Sequence, residues 1–133
     1  MIWQDLFMNR KFTRQELLQG LKIVFNIEES QIFFTDSTWS QSIPEDVKLL
    51  CETYLCKAEF PLRITMYLRD HQLIPKNDIL ILGKLCELLN CYCLISDVGS
   101  NPYSMIQIKN SVSSEQVFIE LEKYEDFTDY ELL

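Results

Sequence analysis

Apolar residues recur along this chain at spacings that distinguish helices from strands. Between Leu17 and Phe25 they return every three or four positions, which is the period of one helix face. Just before this stretch, Thr13 and Glu16 are spaced as a capping box, in which a hydroxyl accepts a hydrogen bond from a backbone amide three residues later. The pattern therefore predicts a first helix that begins after Thr13.

Similar signals predict two further helices. The sequence Ser-Ile-Pro-Glu at 42–45 has the form of a helix start, and apolar residues follow it at helical spacing up to Ala58. A third helix is expected between about 77 and 90. Because this last stretch is apolar on most sides, we expect it to be the buried central helix.

Strict alternation of apolar and polar residues marks a strand at 62–69. Shorter strand candidates lie at 31–36, 91–97, 103–109 and 116–122. The last three are separated by hairpin-length loops, so an antiparallel meander is the expected pairing. In the 62–69 strand, the core face is expected to carry Leu62, Ile64, Met66 and Leu68, and the other face Arg63, Thr65, Tyr67 and Arg69.

Together these elements predict an α+β fold. We expect a mainly antiparallel sheet of about four or five strands, with about three helices packed largely on one face. The length of 133 residues and the apolar content of 47% fit a single globular domain, 1–133. No segment has the composition of a linker between domains.

The carboxyl-terminal end carries most of the net charge. Residues 115–133 contain seven acids and one base, which is −6 of the chain's formal −8. Aromatic and aliphatic residues alternate with these acids, so the segment combines charge with hydrophobic anchors, as a surface for a basic protein does. The residues predicted to bind the partner are Glu120, Glu122, Tyr124, Glu125, Asp126, Phe127, Asp129 and Tyr130.

Several classes of ligand are disfavoured by the sequence. Glycine occurs only at Gly20, Gly83 and Gly99, so no glycine-rich phosphate-binding motif can be written, and no cofactor is predicted. A net charge of −8 and an isoelectric point near 4.6 repel the phosphates of nucleic acids. No stretch is long and apolar enough for a membrane span, and no secretory signal is recognisable, so a cytoplasmic location is expected.

The five cysteines are interpreted as reduced, buried small hydrophobes, because their number is odd and their neighbours are apolar. A metal site is the weaker alternative. Cys91 and Cys93 point to one face of a strand and could share an ion, with further ligands from Cys51, Cys56 or His71. The chelating turn of a C-x2-C motif is missing, however, so no metal is predicted.

Candidate catalytic groups are few. His71, the one histidine, is expected in a loop after the 62–69 strand, and a nucleophile–base pair with Cys93 or Cys56 has no local signature. The carboxylates of Glu28-Glu29, Asp36 and Glu125-Asp126 lie in hydrophilic surroundings and are expected to be solvated rather than catalytic.

Two surface features have competing interpretations. Arg63, Tyr67 and Arg69 with Thr65 are residue types found at binding hot spots, but an ordinary sheet face with cross-strand pairs to Glu120 or Glu122 is the favoured interpretation. Trp39 lies in a predicted loop, either as a lid over the core or as a contact residue, and the sequence does not choose between them.

Small size, acidic character and the charged carboxyl-terminal segment resemble bacterial toxin-neutralising proteins as a class. This analogy implies a non-catalytic immunity protein that blocks a basic toxin, for instance a nuclease, by direct binding. The alternatives are an acidic, dimeric secretion-type chaperone or adaptor, and a small enzyme that uses His71 or a cysteine.

Overall fold

Nine helices and strands are defined in the structure, a computed structural model that describes residues 2–35, 43–56, 59–97 and 104–118. Short 3-10 turns at Glu29–Gln31 and His71–Leu73 connect some of them. In chain order they are β1 (Ile2–Met8), α1 (Arg14–Phe25), β2 (Ile32–Thr35), β3 (Leu49–Leu55), β4 (Leu62–Leu68), α2 (Asp78–Leu89), β5 (Cys93–Ser96), β6 (Ser104–Asn110) and β7 (Ser113–Phe118).

All seven strands belong to one mixed sheet in the order β2-β3-β4-β1-β5-β6-β7. Only the pair β2–β3 is parallel among these strands, and every other neighbouring pair is antiparallel. The α+β class is therefore confirmed, and so is the antiparallel meander β5-β6-β7. The predicted counts of four or five strands and three helices are wrong, since this part of the chain has seven strands and two helices.

The amino-terminal strand β1 was not predicted, yet it occupies the middle of the sheet. Its alternation is hidden for two reasons. Leu6, Phe7 and Met8 are all buried, because both faces of a central strand are covered. In addition, the register with β4 is irregular between Ile2 and Gln4, which interrupts the two-residue period.

The predicted second helix is wrong, because the part that carries its stripe forms β3. This strand pairs with β4 along its whole length, from Leu49 opposite Leu68 to Leu55 opposite Leu62. Leu49, Leu50 and Cys51 are all buried, so the apolar residues cover both faces of the strand and imitate a helical stripe. Pairing with two neighbouring strands overrides the local start signal at 42–45.

The two remaining helices begin where the sequence predicts, and α2 also ends there. Thr13 caps α1: its hydroxyl accepts from the Glu16 amide at 3.1 Å, while the Glu16 carboxylate accepts from the Thr13 amide at 2.9 Å. Asn77 caps α2 through the Leu80 amide at 3.1 Å. After α2, Asn90 adopts the left-handed conformation that ends many helices.

Both helices contribute to the main hydrophobic core on one face of the sheet. Leu17 and Leu21 of α1 and Leu82 and Leu85 of α2 are buried there against the inward side chains of the strands. The opposite face has a smaller buried cluster of Phe7, Phe60, Leu94 and Met105. The expectation that α2 is a buried central helix is wrong, because its outer side, which includes Leu88, is exposed.

Two glycines allow α2 to approach its neighbours closely. A β-carbon at Gly83 would overlap the carbonyl oxygen of Asn110, so α2 packs directly against the backbone at the turn between β6 and β7. At Gly20 of α1 the nearest atoms are the flexible ends of Leu85 and Leu89. The helix layer is thereby fixed to the β5-β6-β7 meander.

The first residue of α2 also forms hydrogen bonds with β1. The Asp78 carboxylate accepts one hydrogen bond from the Trp3 indole at 3.2 Å and another from the side-chain amide of Gln4 at 2.8 Å. An acidic residue in the first turn is favourable beside the unpaired amides of a helix start. The Trp3 ring also meets Phe25 edge-on, with 5.4 Å between ring centres.

Candidate functional site

A cluster of polar side chains crosses β1, β3 and β4 on the sheet face opposite the helices. We call it the polar cluster, and it consists of Asp5, Glu52, Tyr54, Arg63, Thr65 and Tyr67. The register explains their proximity, because Thr65 lies opposite Asp5 on one side and Glu52 on the other. Arg63 likewise lies between Phe7 and Tyr54.

Arg63 makes a two-pronged ion pair with Asp5. Its Nε donates to one carboxylate oxygen at 2.9 Å and its Nη2 to the other at 2.6 Å, while the Thr65 hydroxyl donates to the first oxygen at 3.0 Å. The guanidinium also lies 5.5 Å from the ring centres of both Phe7 and Tyr54. Planar guanidinium groups suit this combination of paired hydrogen bonds and ring contacts.

Glu52 is a carboxylate with only 7% of its surface exposed. The Tyr67 hydroxyl donates to one of its oxygens at 2.6 Å and the Tyr54 hydroxyl to the other at 2.8 Å. Burial and the hydrogen bond to Glu52 raise the pKa of Tyr67 to about 12. The hydrogen bond to Glu52 is also the main reason why the pKa of Tyr54 is raised.

The polar cluster bears on the two interpretations of this face. Arg63 and Tyr67 do pair with carboxylates, but with Asp5 and Glu52; the predicted partners Glu120 and Glu122 lie outside the described residues. Sequence reasoning missed Asp5 and Glu52, because one was not assigned to an element and the other was placed in a helix. The available signal was the spacing of Leu50, Glu52 and Tyr54, because residues two apart lie on the same face of a strand.

The polar cluster connects neighbouring strands through side-chain hydrogen bonds. Both oxygens of Asp5 and one oxygen of Glu52 accept hydrogen bonds from β4, and the other Glu52 oxygen accepts from Tyr54 of its own strand. Buried or half-buried charges that are satisfied in this way hold strands in register, and breaking one such pair is costly. The arrangement therefore supports the fold.

All eight residues predicted to bind a partner lie outside the described residues, as do Asp36 and Trp39. What the structure gives is their point of attachment. The last described strand, β7, ends at Phe118 and forms one edge of the sheet. Glu120 follows two residues later in the sequence.

His71 is separated from the cysteines proposed as its partners. It begins a 3-10 turn just after β4, and it lines a shallow hollow of about 580 Å³ with Lys48, Arg69 and Asp70. Cys56 and Cys93 instead lie near Leu62, at the opposite end of β4. Six residues of strand separate the two ends, or about 20 Å at roughly 3.3 Å per residue.

All five cysteines are buried with free thiols, as the sequence predicts. Burial raises the pKa of the Cys51 thiol, which disfavours the thiolate form that nucleophilic catalysis and metal binding use. Within the described ranges, no group of three or more histidine, cysteine or acidic residues is arranged to hold a metal ion. Glu28 and Glu29 lie exposed around a 3-10 turn, and Glu29 accepts from Gln19 at 2.8 Å.

Comparison with known proteins gives no assignment. No protein-family model, no curated protein and no solved structure matches this chain. Among the helices of the described residues, none has the length and apolar character to cross a bilayer.

The raised pKa of Tyr67 predicts a change of stability at alkaline pH. A phenol whose pKa is higher in the folded than in the unfolded chain stabilises the fold while it is protonated. Its contribution is complete below pH 10 and declines as the pH rises toward 12. At pH 8 we expect Tyr67→Phe to lower the free energy of unfolding by about 1–3 kcal/mol, as for a hydrogen bond to a charged group.

Urea denaturation of the wild type and Tyr67→Phe at pH 8, 10 and 11 measures this effect. The difference between the two proteins should shrink above pH 10. Tyr92→Phe, which removes the hydroxyl of an exposed tyrosine just before β5, is the matched control and should show no such trend. A difference that stays constant over the whole pH range would contradict the role assigned to the Tyr67–Glu52 hydrogen bond.

Proposed function

We propose that this protein is a non-catalytic protein-binding module, and most specifically an immunity protein that neutralises a basic toxin by direct binding. The observation that carries the proposal is the acidic, aromatic segment that continues the chain from the sheet edge β7. Seven acids and one base within residues 115–133 give a strong field of one sign. Such fields attract basic surfaces and speed association.

The acids of the polar cluster and those of the carboxyl-terminal segment are expected to have different roles. Asp5 and Glu52 have donors on both oxygens from within the fold, so their hydrogen-bonding capacity already serves to stabilise the sheet. The carboxyl-terminal acids are the densest run of one charge in the sequence. They are therefore the better candidates for recognition of a partner.

The expected partner presents lysines and arginines around apolar pockets. In this proposal Glu120, Glu122, Glu125, Asp126 and Asp129 meet the basic groups, while Tyr124, Phe127 and Tyr130 supply the buried anchors. A nuclease toxin fits this description, because a groove that binds phosphates is basic. A cytoplasmic site of action is part of the same proposal.

A non-catalytic role is also supported by the placement of the reactive groups. The thiols lie in the interior, and His71 is about 20 Å of strand away from Cys56 and Cys93, at roughly 3.3 Å per residue. A nucleophile–base pair needs contact at hydrogen-bond distance. The separation of His71 from Cys56 and Cys93 thus speaks against these two pairs as a nucleophile and its base.

The proposal predicts that the five carboxyl-terminal acids control association. In the test variant, the acids changed to amides are Glu120, Glu122, Glu125, Asp126 and Asp129. At low salt this variant should associate with the basic partner at least roughly tenfold more slowly than the wild type, and its association rate should depend less on ionic strength. The partner is captured from source lysate, identified by mass spectrometry, purified, and used in stopped-flow measurements. The immunity role is tested by expressing the partner alone and together with this protein, and comparing its toxicity in the two cases.

The matched control removes the same number of charges outside residues 115–133. In it, five exposed acids of the described surface are changed to amides, namely Glu28, Glu29, Glu45, Asp46 and Glu59. This control should retain most of the association rate. Equal effects of the two variants would show that only net charge matters, and an unchanged rate in the carboxyl-terminal variant would overturn the proposed site.

One observation favours the dimeric chaperone as a second candidate. Two apolar side chains are exposed on the outer side of the helix layer, Ile23 of α1 at 61% and Leu88 of α2 at 49%. Two shallow hollows of about 390 Å³ each adjoin these residues. Exposed apolar side chains of this kind on adjacent helices are typical of surfaces that pack on another chain.

This second candidate predicts a dimer at micromolar concentration in sedimentation equilibrium. Ile23→Lys and Leu88→Lys should each convert that dimer to monomer, since a charge would be buried at its centre. Val112→Lys, at a residue that is 92% exposed in the β6–β7 turn, is the control and should leave the dimer intact. A wild-type protein that remains monomeric would remove the second candidate and leave the first standing.

A further inference from the structure

Three of the five cysteines lie where α2 ends and β5 begins. We call Cys86, Cys91 and Cys93 the thiol cluster. Their exposed fractions are 1%, 4% and 1%, and all three belong to the main core. Neither the proposed binding function nor the polar cluster makes use of them.

The backbone explains why Cys86 and Cys91 are neighbours. Asn90 has the left-handed angles φ 53° and ψ 58°, its amide donates to the Glu87 carbonyl at 3.4 Å, and the Cys91 amide donates to the Cys86 carbonyl at 3.1 Å. This pair of hydrogen bonds defines a Schellman motif, which characteristically brings the side chains at its two ends into contact. In this chain both of those residues are cysteine.

Both side chains are buried in the same core. The Cys86 sulfur donates a hydrogen bond to the Ile108 carbonyl at 3.6 Å, and Ile108 lies opposite Cys93 in the sheet. Contact with Cys86 and burial raise the pKa of the Cys91 thiol. The thiols are thus close together but protonated and shielded, so their reaction is expected to be slow rather than prevented.

We propose that Cys86 and Cys91 form a site for an intramolecular disulfide, in response to a two-electron thiol oxidant. Disulfides bridge α-carbons that are about 4.4–6.8 Å apart. A direct backbone hydrogen bond between the two residues is compatible with that separation, and it already fixes the chain on both sides of the bond to be made. The helix end therefore requires little rearrangement for closure.

With diamide as the oxidant the reaction balances without any other reagent. The Cys86 thiolate adds to the nitrogen–nitrogen double bond, and the resulting adduct takes up the proton. The Cys91 thiolate then attacks the Cys86 sulfur, the sulfur–sulfur bond forms, and the hydrazine leaves with a second proton. Two thiols have lost two electrons and two protons, and the diazene has gained them.

A disulfide between Cys86 and Cys91 would join the last turn of α2 covalently to the residues that lead into the β5-β6-β7 meander. That junction is otherwise held by hydrogen bonds and packing, including the contact of Gly83 with the β6–β7 turn. Cys93, the third member, is the competing thiol. It lies opposite Ile108, whose carbonyl accepts from the Cys86 sulfur, so an alternative Cys86–Cys93 bond is the product that the experiment must distinguish.

The test treats the folded, reduced protein with diamide at pH 8.5, with circular dichroism to confirm that it stays folded. We expect the loss of two of the five free thiols, recovered on addition of dithiothreitol. Glu87 and Tyr92 lie between the cysteines, so cleavage after these residues separates the three thiols into different peptides. The linked peptides should be those of Cys86 and Cys91.

Variants supply a second measurement. Cys86→Ser and Cys91→Ser should each abolish the Cys86–Cys91 link, whereas Cys51→Ser, a buried cysteine outside the thiol cluster, should lose two of its four thiols as before. The proposal is overturned if the folded protein keeps all five thiols under conditions that oxidise the urea-unfolded chain. It is equally overturned if the wild-type product is a Cys86–Cys93 or an intermolecular disulfide.

Discussion

The pairing of β1 in the middle of the sheet is the constraint on which the described structure depends. On one side β1 pairs with β4 over most of its length; on the other it meets β5 through only two residue pairs, Phe7 with Leu94 and Met8 with Cys93. Beyond them, the Asn9 amide donates to the Tyr92 carbonyl at 3.1 Å and the Tyr92 amide to the Asn9 side chain at 2.8 Å. Among the described strands, this narrow junction alone links β2-β3-β4 to β5-β6-β7.

Each half of the sheet has its own reinforcement. On the open face, the polar cluster connects β1 to β4 through the Arg63–Asp5 ion pair and β4 to β3 through the hydrogen bond from Tyr67 to Glu52. On the other face, α2 reaches β1 through Asp78 and rests on the β6–β7 turn at Gly83. A meander held in this way gives the carboxyl-terminal segment a firm point of attachment after Phe118.

Local sequence signals predicted the elements that local interactions determine. The Thr13 capping box, the Asn77 and Asn90 ends of α2, the alternating strand β4 and the β5-β6-β7 meander were all readable, because their patterns depend on near neighbours. Strands β1 and β3 were not, since burial on both faces replaces alternation with continuous apolar runs. For the same reason the sequence located Arg63 and Tyr67 but not Asp5 and Glu52, whose importance arises only when distant strands pair.

Native-state hydrogen exchange tests the central role of β1 most directly. If β1 unites the two halves of the sheet, the slowest amides of β1, β4 and β5 should exchange with one common free energy, equal to that of global unfolding measured with urea. The contrary result is a separate unit: amides of β5, β6 and β7 that open at a clearly lower free energy while those of β1, β3 and β4 remain protected. In that case the meander unfolds independently, and the contacts of β1 and α2 with the two halves of the sheet do not determine its stability.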